Sequence, residues 1–381
     1  MNSLAEKFLL DPDVTFLNHG SFGATPKPVF ECYQQLQLEL ERQPMKFLGR
    51  EYSGRMAEAR KALAETVGTE PDNIVYVTNA TTAVNIVARS LSLDPGDRVL
   101  STDHEYGALD RTWQYLSERR GFTYSRHPIP LPAKSDMEIV ETLWSGVTSN
   151  TRVIFLSHIT SPTAITFPVD EICRLARQQG IITIIDGAHA PGQIPLSLDE
   201  LGADYYAANL HKWLCAPKGA AFLYARPERQ AILEPLIVSW GWRSEKPGPS
   251  AFVDLYEWVG TKDPSAFLSV PEAIRFQQEN NWEEVRKKCH ELAVKTQNRL
   301  VDLTGLHPLT SPSQYVQMVS ALLPPINPEH LQKSLHEKYQ IEVIVDSWNA
   351  QPYIRVSIQG YNGEEDIDRL LEALRELQIG N

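Results

Sequence analysis

The chain has 381 residues, 42% hydrophobic and 22% charged, with 36 Lys and Arg against 48 Asp and Glu for a net charge of −12. That length exceeds one ordinary core, and the composition is that of a soluble globular protein. The acidic balance excludes electrostatic attraction to nucleic acid or to an anionic membrane surface. Cys32, Cys173, Cys215 and Cys289 lie far apart with no CxxC spacing, so free thiols in a reducing, cytoplasmic setting are expected and a zinc site is not. The opening MNSLAEKFLL mixes acid and base into its short apolar stretch and has no small-residue cleavage site, which makes it a poor signal peptide. No apolar run approaches the length of a membrane span.

Residues 11–26 (DPDVTFLNHGSFGATP) contain two glycines and two prolines and predict an extended loop, read either as an arm tied onto a core or as the lining of a site. Periodic apolar positions predict helices over 27–42 and 50–67, separated by the Gln43-Pro44 break. Residues 73–78 (NIVYVT) predict a strand, and NATTAVN opens the next helix. Small hydroxyl residues at such a turn gather backbone N–H groups, hydroxyls and the positive helix end around one point. Thr81 and Thr82 therefore read either as a phosphate seat or as an ordinary N-cap region. A turn at 94–97, a strand at 98–101 and a polar turn at 103–107 follow, then a helix carrying Trp113. Tyr106, just past the strand end, is placed to stack on a flat cofactor or to pack half-buried. Further strands are expected at 121–128 and 152–158, and further helices at 135–146 and 169–179, with Gly180 as a C-cap.

The run Ile181–Ile185 is β-branched throughout and stops at Asp186, which predicts a buried strand delivering a carboxylate to its C-terminal end. Strand and helix alternate from about 73 to 225, the pattern of a largely parallel sheet covered on both faces. Right-handed crossovers put the strand C-termini on one edge, so Thr81, Thr82, Tyr106, Ser161 and Asp186 face one crevice. Lys212 follows His211 and is flanked by Trp213 and Cys215 rather than by charges. An acid at a strand end and a lysine in apolar company point to pyridoxal phosphate (PLP), which needs a Schiff-base lysine and a carboxylate facing its pyridine nitrogen. A nicotinamide enzyme would need GxGxxG after the early strand, where NATTAVN stands instead.

A strand at 220–224 precedes residues 239–264, rich in aromatics, Gly and Pro without periodicity, as in a long functional loop. Helices at 265–279 and 282–303 follow, then a strand (315–322), a helix (328–339), strands at 341–345 and 353–357, and a helix at 364–377. The expected division is an arm over 1–26, a large cofactor-binding domain over 27–264 and a small α+β domain over 265–381.

The pieces FLNHGSFGATP, NATTAVN, EYGALDRTW, SHITSPTA, DGAHAPGQ, NLHKW, EWVGTKDP and IRVSIQGYN occur in that order over nearly the whole chain. Together they resemble the class V aminotransferases of fold type I, and within them the isopenicillin N epimerase-like branch. The resemblance implies the aspartate aminotransferase-like α/β fold of PLP-dependent transferases, a mostly parallel sheet sandwiched by helices plus a smaller C-terminal α+β domain. It implies Lys212 as the Schiff-base lysine, Asp186 at the pyridinium nitrogen, His189 near the phenolic oxygen, Ser161 beside the ring, and Thr81, Thr82, Asn209 and His211 around the phosphate. Tyr106 stands where related enzymes stack a His on the ring. Thr261 matches a residue that reaches the neighbouring subunit's phosphate, which implies a homodimer with its active site at the subunit interface. Arg355 matches the arginine that pairs with a substrate α-carboxylate, and Asn18, His19 and Gly20 join it as substrate-contacting candidates.

Taken singly, these residues also have plain readings: Asp186 as a helix N-cap, His189 and His211 as core histidines, Arg355 in a structural ion pair. His189 and His211 have no helical partner at ligand spacing, so no metal is expected. Cysteine desulfurases carry a nucleophilic Cys shortly before the equivalent of Arg355, whereas residues 345–352 here (VDSWNAQP) contain none, and Ser161 stands where desulfurases commonly have Asn. The expected activity is epimerase or racemase chemistry at the α-carbon of a small amino-acid substrate, with Tyr106 or His19 as acid on the face opposite Lys212. C–S β-lyase and aminotransferase chemistry are the alternatives.

Overall fold

Strand Ile182–Asp186 is buried on both faces in the computed structural model, which describes residues 4–380. Alternate side chains enter two separate cores. Ile185 joins Leu156, Ile154, Tyr206 and Phe222 on one face, while Ile184 joins Phe155, Val153, Tyr205 and Leu223 on the other. Only a sheet covered on both sides can bury successive residues in this way, which is why the strand reads as an unbroken apolar run.

The sheet has seven strands in the order Ile74–Val77, Ala221–Ala225, Tyr205–Asn209, Ile182–Asp186, Thr151–Ser157, Arg98–Thr102, Thr123–His127. All run parallel except Ala221–Ala225, which is antiparallel to both neighbours. Helices Ala80–Ser90, Gly107–Arg120 and Ala251–Glu257 supply apolar residues to one core; Tyr52–Val67, Val169–Gln178 and Val270–Glu279 supply the other. Ser157 pairs with Asp186 and Asp186 with Ala207, so the register aligns these strand ends along the C-terminal edge.

A second, three-stranded antiparallel sheet has the order Ile344–Trp348, Gln351–Ser357, Met318–Leu322. Helices Trp282–Thr304, Pro328–Tyr339 and Glu364–Glu376 contribute to the apolar cluster beneath it. The predicted alternation of strand and helix is therefore present, with four local departures. The helix expected over 265–279 is divided into Ser265–Leu268 and Val270–Glu279, because Pro271 has no N–H for the carbonyl four residues earlier and its ring crowds that turn. The strand expected over 341–345 changes partners: Ile341–Glu342 runs parallel to Thr15–Phe16, while Ile344–Trp348 enters the antiparallel sheet. The expected loop 239–264 contains the helix Ala251–Glu257, capped by the Ser250 hydroxyl, which accepts from the Val253 amide at 3.3 Å. The loop expected over 11–26 is not extended throughout, since His19–Phe22 forms one helical turn. Among the described residues no helix is long and apolar enough to cross a membrane.

Candidate active site

A cavity of ≈ 250 Å³ lies along the C-terminal edge of the large sheet. Its wall takes Asn79, Ala80 and Thr81 from the end of one strand, Tyr106 from another, then Ser157, Ser161, Asp186, His189, Asn209, His211 and Lys212, with Ser21 and Phe22 entering from the N-terminal arm. The crossover rule thus brings together most of the residues singled out in the sequence.

At one corner the helix Ala80–Ser90 presents its N-terminus. Asn79 caps it, its Oδ1 accepting from the Thr82 amide (2.7 Å) and the Thr82 hydroxyl (3.0 Å). The Ala80 amide donates to Asn209 Oδ1 at 2.9 Å, so Asn209 ties the end of its own strand to this helix. The Thr81 hydroxyl makes no hydrogen bond within the described chain and faces the cavity. Thr82 is not part of the wall: its amide and hydroxyl bond to Asn79 Oδ1 in the cap. His211 Nδ1 is held by the Ala220 carbonyl at 3.3 Å, and burial lowers the ring's pKa to about 4.

Asp186 is 3% exposed and accepts from the Ala188 amide at 3.0 Å. Burial raises its carboxyl to about 6, against the pull of that amide and of Lys212. Burial lowers Lys212 to about 8, with Arg355 pushing the same way and Asp186 opposing. Lys212 Nζ lies 3.2 Å from His189 Nε2. The Trp213 indole N–H donates to His189 Nδ1 at 3.2 Å, which leaves the ring proton of the neutral tautomer on Nε2, pointed at the lysine. Burial holds His189 well below the ordinary histidine value, so the neutral form is the relevant one.

Arg355, on Gln351–Ser357, is 4% exposed. Its Nη1 donates to the Ser161 carbonyl (2.7 Å) and hydroxyl (3.1 Å), and its Nη2 to the Ser21 hydroxyl (3.2 Å). Its Nε has no partner, and among the described residues no carboxylate pairs with it. The structural ion pair considered from sequence is therefore not what holds it. A buried guanidinium without an acid is costly unless an anion joins it. It stands one layer behind the wall, reaching the cavity through Ser21 and Ser161.

Tyr106 is 48% exposed at the cavity mouth and opens the helix Gly107–Arg120. Its predecessor, Glu105, is buried. Glu105 accepts from the Thr102 hydroxyl (2.6 Å), the Ser157 amide (2.8 Å) and the Ser157 hydroxyl (2.7 Å). Burial raises this carboxyl to about 8, so it is largely protonated at neutral pH.

The expectations for the N-terminal loop need correction. His19 is fully buried and outside the cavity wall, and burial lowers its pKa to about 3. Gly20 is packed where a Cβ would stand 2.7 Å from Met318 Sδ, and Asn18 accepts from the Ser21 hydroxyl at 2.6 Å. The arm's wall residues are instead Ser21 and Phe22, which the sequence reading passed over although they lie in the same motif. Asn79 was passed over as a wall residue, and Glu105 was passed over within the polar turn at 103–107. Thr261 is exposed and outside the cavity of its own chain.

The chain is 36% identical over 387 residues to isopenicillin N epimerase from Amycolatopsis lactamdurans, covering 98% of this chain and 97% of that protein. It is 30% identical over 403 residues to a probable chloroplastic L-cysteine desulfhydrase from Arabidopsis thaliana, covering 96% and 83%. Among solved structures, the cystine C-S lyase C-DES, in complex with its reaction product cysteine persulfide, superimposes with a TM-score of 0.85 at 26% identity, covering 97% of this chain and 99% of that one. The architecture is the fold type I arrangement of PLP enzymes. With residues 23–370 matching its description, the chain belongs to the aminotransferase class-V family.

Proposed function

We propose that the protein is a PLP-dependent enzyme acting at the α-carbon of an amino acid, of the epimerase type. The observation that carries this reading is the convergence on one cavity of Lys212 and the buried strand-end carboxylate of Asp186, backed through Ser21 and Ser161 by a guanidinium that lacks an acid. The residues present fit the group. The free Thr81 hydroxyl at a helix N-terminus suits a phosphate. Asp186 suits a pyridine nitrogen that shares a proton, and His189 Nε2–H suits a phenolate oxygen beside Lys212. When bound, PLP supplies the electron sink that makes an α-proton removable.

The protein's own part is positioning and proton transfer. Arg355, positioned by its bonds to Ser21 and Ser161, holds the substrate carboxylate. Lys212, with its pKa near 8, takes the α-proton. Tyr106 lies across the strand ends from Lys212, with Ile182–Asp186 and Thr151–Ser157 between their parent strands, and its hydroxyl returns a proton from that side. The similarity to an isopenicillin N epimerase at 36% identity supports this outcome.

A C–S β-lyase acting on a cysteine-derived amino acid is the second reading, and one observation favours it: with His19 buried, Lys212 is the one strong base placed at the substrate, and elimination needs only one. Incubating L-amino acids in deuterated buffer separates the two. Inversion with α-deuteration, lost in Tyr106→Phe, supports the epimerase; pyruvate and sulfide from cysteine derivatives, without added keto acid, support the lyase. A purified protein that stays colourless after PLP is added, with no borohydride-sensitive absorbance, would overturn both.

A homodimer belongs to the same proposal. Leu236, Ile237, Val238, Trp240 and Trp242 form a run of exposed apolar side chains, Trp240 at 83%, of the kind that marks an interface. Thr261 is exposed for the role of completing a neighbouring subunit's phosphate corner. Sedimentation at micromolar concentration tests it, and a monomer would refute it. The four unpaired cysteines suit the reducing cytoplasm.

A further inference from the structure

Residues 15–23 run from the small sheet to the lysine and touch both ends of the candidate site. At the sheet end, the Leu17 amide donates to the Glu342 carbonyl (2.9 Å), the Ser357 amide donates to the Leu17 carbonyl (2.8 Å), and Asn362 Nδ2 donates to the Phe16 carbonyl (3.0 Å). At the lysine end, His19 Nε2 lies 3.0 Å from the Lys212 main-chain carbonyl. The tautomer protonated at Nε2 donates to that carbonyl and lets Nδ1 accept from the Tyr361 hydroxyl at 2.9 Å, while the Gln359 amide nitrogen also faces Nε2 at 3.2 Å. The imidazole also packs on the Trp213 ring, centroids 4.9 Å apart, with the Gln359 amide against it. Gly23, at φ +69°, lies so close to this segment that a Cβ would meet the His211 carbonyl oxygen at 1.9 Å. Between these anchors, the Ser21 hydroxyl accepts from Arg355 Nη2 (3.2 Å) and donates to Asn18 Oδ1 (2.6 Å).

We propose that residues 18–23 form a strap that couples Arg355 to the backbone of Lys212, with His19 as the positioning residue for the lysine and Ser21 as the contact that reads the guanidinium. The inference rests on the reading of Lys212 as the Schiff-base residue. An anion joining Arg355 competes with Ser21 and Ser161 for its N–H groups. Any shift in the Ser21 hydroxyl passes to Asn18, one residue from His19, whose ring is locked between Tyr361 and the lysine carbonyl. A chain of contacts in which each member has few alternatives transmits displacement rather than absorbing it. The strap would let occupation of the carboxylate site adjust where the lysine amine points, so that only a correctly seated amino acid meets the productive geometry.

The test uses the PLP-loaded protein and propionate, a carboxylate with no amine to displace the lysine. Its readout is visible circular dichroism of the lysine–cofactor band, with occupancy checked by calorimetry. The expected result is a change of that band in the wild type at saturating propionate, reduced at least roughly threefold in Ser21→Ala and in His19→Phe, which keeps ring volume but leaves the lysine carbonyl with the Cys215 amide alone (3.0 Å). His19→Gln, which presents an amide N–H near the Nε2 position, is expected to recover most of it. A wild-type band indifferent to propionate overturns the strap, and so do variants responding with wild-type amplitude. A Ser21→Ala protein that no longer takes up propionate also overturns it, because Ser21 is then a ligand and not a link. Should His19→Phe fail to unfold cooperatively, Ser21→Ala decides alone. Absence of any visible band in PLP-treated wild type counts against the enzyme reading itself, and this proposal falls with it.

Discussion

Replacing Arg355 with Met separates function from stability more sharply than any other single change at the candidate site. The guanidinium is buried with no carboxylate beside it, and its Nε is unsatisfied. An orphaned buried donor costs about 1–3 kcal/mol, and taking the charge from water adds to that. The Nη contacts to the Ser161 carbonyl and to the Ser161 and Ser21 hydroxyls return about 1.5–3 kcal/mol each, against several kcal/mol for desolvating the guanidinium. Both serines line the cavity and can bond to water once the arginine is gone. The unliganded Arg355→Met protein should therefore lie within about 1 kcal/mol of wild type or above it in urea denaturation. Toward substrate the balance reverses. Two charge-assisted hydrogen bonds to a carboxylate are worth about 3–4 kcal/mol, so kcat/KM should fall by roughly two to three powers of ten. The assay pairs denaturation curves with kcat/KM on any amino acid that perturbs the cofactor spectrum. A loss of about 3–5 kcal/mol in stability, the penalty for breaking a buried pair, would show that Arg355 is a structural cation and refute its assignment to substrate.

Glu105→Gln should change the pH dependence of stability. The carboxyl rises from its ordinary 4.5 to about 8 in the folded chain, so the folded state holds a proton that the unfolded state has lost. The native carboxyl thus opposes folding increasingly as pH rises from 4.5 toward 8, and the variant should gain on wild type over that interval in urea midpoints. An unchanged difference between pH 5 and pH 9 would contradict the buried assignment. Gly23→Ala should destabilise by at least about 2 kcal/mol, from left-handed strain plus a clash with the His211 carbonyl, and should weaken PLP retention on dialysis. Ala350, exposed at φ +63° in the turn between Ile344–Trp348 and Gln351–Ser357, should gain roughly 0.5–1 kcal/mol as Gly, measured by denaturation, with no change in PLP binding.

Much of the large sheet was legible because its residues are locally consistent. The run Ile181–Ile185 has no polar face and must be buried on both sides, and Asp186 then falls at a strand end. The helix behind Asn79 announced itself by its cap. What escaped depended on contacts distant in sequence. His19 looks like a site residue because it sits among Asn, Gly and Ser, yet its partners are Tyr361 and the Lys212 carbonyl, 342 and 193 residues away. Glu105 looks like one more acid in a turn, and only its packing between Thr102 and Ser157 makes it a buried acid. Thr82 reads from composition as one of two like hydroxyls, and only the fold distinguishes it, by the bonds of its amide and hydroxyl to the Asn79 cap. Pro271, by contrast, was a visible helix breaker that apolar periodicity overrode.

The antiparallel strand Ala221–Ala225 has a mechanical consequence for the lysine. After Tyr205–Asn209, a parallel partner would have carried the chain away through a crossover helix. The reversal instead returns it at the same edge, leaving residues 210–220 as a short bridge with both feet in the sheet. The Leu210 amide donates to the Ala220 carbonyl and the Ala216 amide to the Leu210 carbonyl, which closes the bridge on itself. A segment anchored this way works as an anvil: it resists swinging as a unit and yields only locally, at the lysine carbonyl that the arm touches. Adjustment between resting and reacting geometries is left to what bears down on it, the arm and the small sheet that carries Arg355.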